Sequence, residues 1–340
     1  MRFLSGLILA ELVLAAAAVL AAPAPGEREQ LAQANAALQA GEVDKALVLL
    51  NPLSNPSNAS NADNPGGRAD AYNLRCRVEY TLEHWDRAAN DCEQAVKLDG
   101  QNSDGHLWLG RALGEKASRA SFLSAYALAK RTRAEFEEAA RLNPRNAEAL
   151  ASLGEFYYSA PGVVGGGIKK SETVAVQLER IDPARAHVLR GKIAEQRKDF
   201  GTAEREFKQA IAASAHPALQ WMTLADFYRR RERWTEMDSA VHSAENAAQR
   251  DKRAGVALYN GASLLIETKR DPALAARMLE EYLTVSVKSE EAPAFVAHAW
   301  LARLKQQLGD TAAAGRERSA ALAMAHEYKP ALEMKQELKH

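Results

Sequence analysis

Residue types that could hold a metal ion are scattered through this 340-residue sequence. None of its eight histidines forms an H-x3-H or H-E-x-x-H pair, the spacings that place two ligands on one face of a helix. His106, His187 and His298 recur instead at matching positions of a repeated helical pattern, where packing residues are usual. The sequence therefore predicts no metal site.

Groups that could carry nucleophilic or acid–base catalysis also lack the partners that such chemistry needs. There is no G-x-S-x-G motif, and neither cysteine has the sequence context of a nucleophile. Three pairs of adjacent glutamates are typical of solvated helix faces: Glu137 with Glu138, Glu280 with Glu281, and Glu290 with Glu291. We expect a protein that is not an enzyme and has no cofactor.

A glycine-rich run at residues 160–167 has to be considered as a phosphate-binding loop. Gly162 and Gly167 have the interval of that motif, but Ile168 stands where its lysine would follow. A helix is expected before the run, whereas a phosphate-binding loop follows a strand. A structural turn or an interface loop is the better interpretation.

The composition favours helices as the elements that position these side chains. The chain is 47% hydrophobic with only 6% aromatic residues, and it is rich in alanine, the strongest helix former. Its 44 basic and 44 acidic residues cancel, which argues against nucleic acid as a partner. Two cysteines are too few for a disulfide-based scaffold. We therefore expect an all-α protein.

The N-terminus has the pattern of a secretory signal peptide. Arg2 precedes an apolar run that Glu11 interrupts and residues 12–22 resume, and small residues at 19–21 suit cleavage. The sequence predicts a signal peptide over residues 1–21, export to a bacterial periplasm, and no stable membrane span after cleavage. An uncleaved N-terminal anchor is the alternative, although it needs about 20 apolar residues. A chain that is not exported is a third alternative.

The remaining sequence repeats one amphipathic pattern. LASLGEFY at 150–157 and WMTLADFY at 221–228 each place large apolar residues around a small one on a single helix face. Ala203-x3-Phe207 follows in one segment, and turns such as Leu142-Asn143-Pro144 close others. The pattern resembles the tetratricopeptide repeat, a helix–turn–helix unit with the signature W-x2-L-G-x2-Y, A-x3-F and P.

This resemblance covers nearly all of residues 27–340 and implies a right-handed superhelical solenoid of about eight helical hairpins. A polar C-terminal helix over 329–339 is expected to cap the last hairpin. The expected hairpins begin near Glu27, Ala69, Ser103, Ala147, Ala184, Ala218, Val256 and Phe295.

The resemblance also implies that the first helix of each hairpin lines a concave groove. By register, the candidate groove residues are Asn35, Asn73, Arg77, Tyr80, Arg111, Glu155, Tyr158, Lys192, Asp226, Arg229, Arg230, Asn260 and Arg303. Some family members hold a peptide's terminal carboxylate with a Lys/Asn/Asn/Lys/Arg set. Here Asn35 fits one place, but Leu31, Asp104 and Trp108 stand where Lys, Lys and Arg are needed. An extended peptide or a protein surface is the expected ligand class.

Two insertions distinguish the third and fourth hairpins. The third gains about ten residues near 115–132, which we expect to lengthen its second helix; the fourth carries the glycine-rich run. Either the aromatic face of the first insertion covers the glycine-rich loop, or both form a partner-docking patch on one rim. The rim residues are Phe122, Leu123, Tyr126, Val163 and Val164.

The two cysteines fall at facing positions of the second hairpin. Cys76 takes the small-residue place of the first helix, and Cys92 follows Ala88-x3 in the second. The turn near His84 is eight residues from each, so the two are level in an antiparallel pair. The sequence predicts either a disulfide between them or two reduced thiols in the core.

Two functions therefore remain open. The first is an exported, non-enzymatic scaffold or adaptor that binds a protein or peptide in its groove. The alternative is a ligand-binding or delivery component of an envelope transport system, with a cavity inside the superhelix. An open polar groove would favour the first, and a sealed apolar cavity the second.

Overall fold

Seventeen α-helices make up most of the described chain. The computed structural model describes residues 25–55, 64–286 and 288–337, and this part contains no β-strand. In chain order the first four hairpins are α1 (Pro25–Ala40) with α2 (Val43–Ser54), α3 (Pro65–Thr81) with α4 (Trp85–Leu98), α5 (Ser103–Arg119) with α6 (Phe122–Leu142), and α7 (Ala147–Ser159) with α8 (Ile168–Glu179). The last four are α9 (Pro183–Gln196) with α10 (Phe200–Ala213), α11 (Ala218–Arg230) with α12 (Trp234–Arg250), α13 (Gly255–Glu267) with α14 (Pro272–Thr284), and α15 (Ala294–Gln307) with α16 (Thr311–Met324), followed by α17 (Lys329–Glu337).

The expectation of an all-α solenoid of helical hairpins is confirmed. The eight hairpins begin at residues 25, 65, 103, 147, 183, 218, 255 and 294, where the repeat pattern placed them near 27, 69, 103, 147, 184, 218, 256 and 295. The predicted signal peptide over 1–21 and the last residues of the predicted capping helix lie outside the described residues. Among the residues that the structure does describe, no helix combines the length and apolarity needed to cross a bilayer.

Most hairpins turn through a residue in the left-handed region. These residues are Gly41, Glu83, Lys198, Glu232, Lys269 and Gly309. The third hairpin instead has two lengthened helices, and the fourth has a longer connection that contains a short 3-10 helix, Gly162–Val164. The insertions therefore replace the regular turn rather than interrupt a helix.

Small residues in the first helices allow the second helices to approach closely. A Cβ placed on Gly110 of α5 would lie 2.5 Å from the Phe136 ring of α6. A Cβ on Gly191 of α9 would lie 2.6 Å from the Phe207 ring of α10. Glycine at these places lets an aromatic ring of the partner helix occupy the space of a side chain, as the repeat pattern predicts.

The solenoid closes on itself. One continuous apolar core includes fully buried side chains from both the first hairpin (Leu50) and the last (Leu301). The backbone N–H of Lys288 donates to the carbonyl oxygen of Gln39 at 2.7 Å. The first and last hairpins are thus neighbours, and the concave surfaces of the intervening hairpins face one another inside a ring.

Candidate functional site

The first helices of four successive hairpins line a cavity on the concave surface. It has a volume of about 560 Å³ and is bounded by α7, α9, α11 and α13. Five of the predicted groove residues line it: Glu155, Lys192, Asp226, Arg230 and Asn260. Consecutive repeats therefore bring together side chains that are far apart in the sequence.

A second concave cavity, of about 710 Å³, lies beside α3, α5 and the start of α7. Two predicted groove residues, Arg77 and Arg111, line it. Trp108 lies between them, with its ring 5.5 Å from the Arg77 guanidinium carbon and 4.6 Å from that of Arg111. The two cations thus share one aromatic ring.

Other predicted groove residues have different surroundings. Tyr80 packs edge-on against Trp85 and Trp108, at 5.1 and 5.4 Å between ring centroids, and burial raises its pKa. The Tyr158 hydroxyl donates to Glu155 at 3.1 Å. The remaining four line neither cavity: Asn35 and Asn73 are half-buried, Arg229 pairs with Asp226, and Arg303 is exposed.

Ion pairs join the first helices of successive hairpins across the groove. Arg111 of α5 lies 3.2 Å from Glu148 of α7. Lys192 of α9 lies 3.2 Å from Glu155 of α7. Arg230 of α11 makes two hydrogen bonds of 2.8 Å with the carboxylate of Glu195 in α9. Arg111, Lys192 and Arg230 are therefore each paired with a carboxylate on the first helix of a neighbouring hairpin.

The connection between α14 and α15 enters this groove. Residues 288–293, here called the strap, form a turn closed by a bridge between Ser289 and Ala292. The Nε–H of Arg77 donates to Oε1 of Glu290 at 2.7 Å, and Arg111 lies 3.9 Å from Glu291. Glu291 lines both cavities, so the strap lies where the two cavities adjoin.

The interpretation of Glu290 and Glu291 as a solvated helix face is therefore wrong. Both lie outside any helix, and whereas the Glu291 side chain is 61% exposed, that of Glu290 is only 14% exposed and pairs with Arg77. The sequence carried a weak signal of this feature, namely the long interval between α14 and the next repeat. It carried no signal for the partner, which lies 213 residues away.

The insertions differ from the first expectation, that one covers the other, and Val164 differs from the second. Phe122 and Leu123 are 85% and 80% exposed, so their face does not cover the glycine-rich loop. Val164 is buried in one apolar cluster with Ala129 and Phe136, from the middle and C-terminal half of α6. Val164 therefore does not belong to an exposed rim patch, because the loop packs beside the body of α6 rather than its tip. Val163 is exposed, and Tyr126 marginally so.

The second hairpin carries a disulfide between Cys76 of α3 and Cys92 of α4. Their Cα atoms are 5.2 Å apart, and both residues are fully buried. The bond links the two facing helices at the level where the sequence places the cysteines side by side. Neither thiol is available as a nucleophile in this form.

Three histidines form equivalent contacts within their hairpins. His106, His187 and His298 each place Nδ1 within 2.6–2.8 Å of a glutamate on the second helix. The two residues are 29, 19 and 19 positions apart, and the ten extra positions match the insertion of the third hairpin. The hydrogen bond with Glu135 raises the pKa of His106. Within the described ranges no group of three or more potential ligands could hold a metal ion.

Comparisons with known proteins give the following similarities. No protein-family profile and no curated protein matches this sequence. Among solved structures, a thermophilic TPR protein of Thermus thermophilus is 16% identical, with 59% of this chain and 98% of that one covered and a TM-score of 0.47. A tetratricopeptide repeat protein of Parabacteroides merdae is 13% identical, with 83% and 100% covered and a TM-score of 0.45. PilF of Pseudomonas aeruginosa is 12% identical, with 79% and 97% covered and a TM-score of 0.37.

The tandem hairpins of this chain form an all-α helical solenoid over the described residues. Each first helix packs against its second helix, and the small-residue positions of the signature receive aromatic or aliphatic side chains of neighbouring helices. The packing within each hairpin is thus repeated along the chain, with variations at the two insertions.

Proposed function

We propose that this chain is an exported, non-enzymatic scaffold that binds a protein or an extended peptide in its concave groove. The observation that carries the proposal is the cavity of about 560 Å³ formed jointly by the first helices of four successive hairpins. Its volume lies in the range of ligand-binding pockets, about 300–1,000 Å³. A site shared by four repeats suits a ligand that extends along the solenoid.

The groove is held in shape before any ligand binds. Ion pairs such as Glu155 with Lys192 and Glu195 with Arg230 fix neighbouring first helices relative to one another. A preorganised surface loses less entropy on binding than one that must order itself. Rigidity of this kind supports a binding scaffold.

The character of the lining favours a peptide over a small apolar ligand. Charged and amide side chains line both cavities, together with apolar side chains such as Leu219 and Met222 in the first, and neither cavity is enclosed. Delivery of an apolar molecule would need a sealed, apolar interior. The peptide-binding function is therefore the better supported of the two alternatives.

Selection from a displayed peptide library would test this function on the purified protein. We expect selected peptides to lose at least tenfold in affinity when tryptophan fills the groove in Asn260→Trp or Thr223→Trp. Gln209→Trp is the matched control, because Gln209 is an exposed residue of α10 outside both cavities. Failure to select any binder, or equal binding to all three variants, would contradict the proposal.

Export is supported by two independent features. The N-terminal residues 1–21 have the pattern of a signal peptide, and the Cys76–Cys92 disulfide suits an oxidising compartment such as the periplasm. Cell fractionation followed by intact-mass measurement tests this part of the proposal. A periplasmic species lacking residues 1–21 would support cleavage, a full-length membrane-bound species would indicate the uncleaved anchor, and a full-length cytosolic species would overturn export.

A further inference from the structure

The strap places the carboxylate of Glu290 in a site formed by Arg77, Trp108 and Arg111, here called the receptor. Glu290 accepts hydrogen bonds from the Nε–H and a terminal N–H of Arg77, whose guanidinium lies over the Trp108 ring. The side chains of Arg77 and Glu290 are 21% and 14% exposed. A charge-assisted hydrogen bond that is shielded from water is stronger than an exposed surface ion pair. The receptor therefore selects for a carboxylate.

The charge of the cavity lining around the strap favours a ligand with more than one acidic group. Four arginines line the 710 Å³ cavity, namely Arg77, Arg111, Arg145 and Arg185. Asp104 and Glu148 supply two negative charges from the helices, and Glu290 and Glu291 supply two more from the strap. The formal charge of the lining is thus zero with the strap in place and +2 without its carboxylates. A ligand that takes the place of these two carboxylates restores a neutral lining if it carries two negative charges.

The strap is anchored at both ends, by the hydrogen bond of 2.7 Å from the Lys288 backbone N–H to the Gln39 carbonyl oxygen and by the fully buried Ala292. It reaches this site through Glu290 and Glu291. Its backbone contact with α3 is a long hydrogen bond, 3.4 Å from the Thr81 hydroxyl to the Glu290 carbonyl oxygen. Ser289 Oγ is buried without a hydrogen-bond partner among the described residues. A buried hydroxyl without a hydrogen-bond partner is energetically unfavourable. Between its anchored ends, the strap therefore contacts the receptor through its two carboxylates.

We propose that the receptor formed by Arg77, Trp108 and Arg111 binds an acidic peptide segment with two adjacent carboxylates, and that the strap occupies it until such a segment displaces Glu290 and Glu291. This proposal rests on the peptide-binding function above and names its ligand class. The strap acts as an intramolecular competitor with an effective concentration on the order of millimolar. It lowers the apparent affinity for an external peptide in proportion to its occupancy.

Isothermal titration with a synthetic hexapeptide of the strap sequence, KSEEAP, tests the proposal directly. In the variant Glu290→Ala/Glu291→Ala the receptor is free of its internal carboxylates. We expect this variant to bind the hexapeptide at least tenfold more tightly than the unaltered protein does. The hexapeptide KSQQAP, which lacks both negative charges, should bind the variant at least tenfold more weakly than KSEEAP.

A second glutamate pair provides the matched control. Glu280→Ala/Glu281→Ala removes two adjacent carboxylates from α14, and neither residue lines the cavities. We expect this control to bind the hexapeptide no better than the unaltered protein. Adding Arg77→Met and Arg111→Met to the strap variant should abolish the gain. If the alanine variant loses helicity by circular dichroism, Glu290→Gln/Glu291→Gln replaces it, with the same expectations.

The outcomes separate this inference from the proposed function. Equal affinity of the strap variant and the unaltered protein, or equal binding of KSEEAP and KSQQAP, would overturn the acidic-peptide receptor. If the library peptides still lose affinity for Asn260→Trp and Thr223→Trp, the proposed groove function is nevertheless supported. Loss of both results would overturn the two proposals together.

Discussion

Asp44 in the first hairpin and His326 after the last lie in direct contact. The Asp44 carboxylate accepts a hydrogen bond of 2.8 Å from the backbone N–H of His326 and lies 2.9 Å from its Nδ1. The two residues are 282 positions apart. The contact places the ends of the repeat array side by side, so the array is a closed ring.

Ring closure depends on a glycine, and an alanine there should open the ring. A Cβ on Gly41 would lie 2.7 Å from the Cβ of Ala294, at the start of the last hairpin. We expect Gly41→Ala to lower the free energy of unfolding by about 1–3 kcal/mol through overpacking, in addition to about 1 kcal/mol for the left-handed backbone. Thermal unfolding and the radius of gyration from small-angle scattering measure the two effects.

Gly309 is the matched control for this prediction. Its φ is +87°, close to the +82° of Gly41, but nothing lies within 4 Å of its missing Cβ. Gly309→Ala should therefore show the backbone cost alone and no change in the radius of gyration. Equal destabilisation by the two substitutions would show that the contact with Ala294 does not constrain the ring.

The Cys76–Cys92 disulfide should be resistant to alkylation and should stabilise the second hairpin. Closing a loop of about 15 residues is worth ~3 kcal/mol in the chain-entropy model. We expect Cys76→Ala/Cys92→Ala to lose up to about this amount, and the oxidised native protein to show no alkylated thiol by mass spectrometry. A denatured and reduced sample serves as the positive control. Full labelling of both thiols before reduction would exclude the bridge.

The local parts of this fold could be predicted because their contacts are local. Gly191 packs against Phe207 of the next helix, so the repeat pattern that spaces them also identifies the hairpin. Helical periodicity likewise places Glu155 and Lys192 on inward faces of neighbouring first helices. Both inferences need only the spacing within one repeat or between adjacent repeats.

Ring closure and the strap could not be predicted in the same way. Arg77 and Glu290 come together only because the full array curves enough to bring its ends into contact. That curvature accumulates from small rotations at each repeat, and no residue spacing encodes the sum. The sequence also left two alternatives open for the tip of the third hairpin, a cover over the glycine-rich loop or an exposed patch, for a related reason. The insertion lengthens α5 as well as α6, so Phe122 projects past the loop it was expected to cover.

Stability should depend on pH through His106 and its partner. The hydrogen bond with Glu135 raises the pKa of His106 above its ordinary 6.5, so the folded state favours the protonated ring. This contribution is complete below pH 6.5 and is lost as the pH rises through the folded-state pKa. We expect His106→Gln to cost about 1.5–3 kcal/mol at acidic pH and less at alkaline pH. Urea unfolding between about pH 6 and pH 8 measures the difference.

Glu135→Gln tests the other half of the same pair. It should flatten the pH dependence as His106→Gln does, and the double variant should add little to either single change. Parallel pH profiles for the unaltered protein and both variants would show that other groups control the dependence.

The tip of the third hairpin should be a surface without a role in stability. Phe122 is 85% exposed, whereas Phe136 of the same helix is 7% exposed and packs in the core. We expect Phe122→Ala to change the free energy of unfolding by less than about 0.5 kcal/mol. The matched substitution Phe136→Ala should cost about 3–5 kcal/mol, because it leaves a cavity opposite Gly110. Urea unfolding compares the two variants.

Substitutions at Phe122 and Leu123 distinguish the two interpretations of the insertion. Because Phe122 and Leu123 are exposed in the described part of the chain, we expect Phe122→Ala and Leu123→Ala to weaken an interaction with another molecule rather than the fold. We expect both variants to keep the circular dichroism spectrum and the affinity for groove-binding peptides, since neither residue lines a cavity. A partner that docks on the rim should lose affinity for them and not for Gln209→Ala. Destabilisation by Phe122→Ala comparable to that by Phe136→Ala would instead mean that the tip is covered within the folded chain.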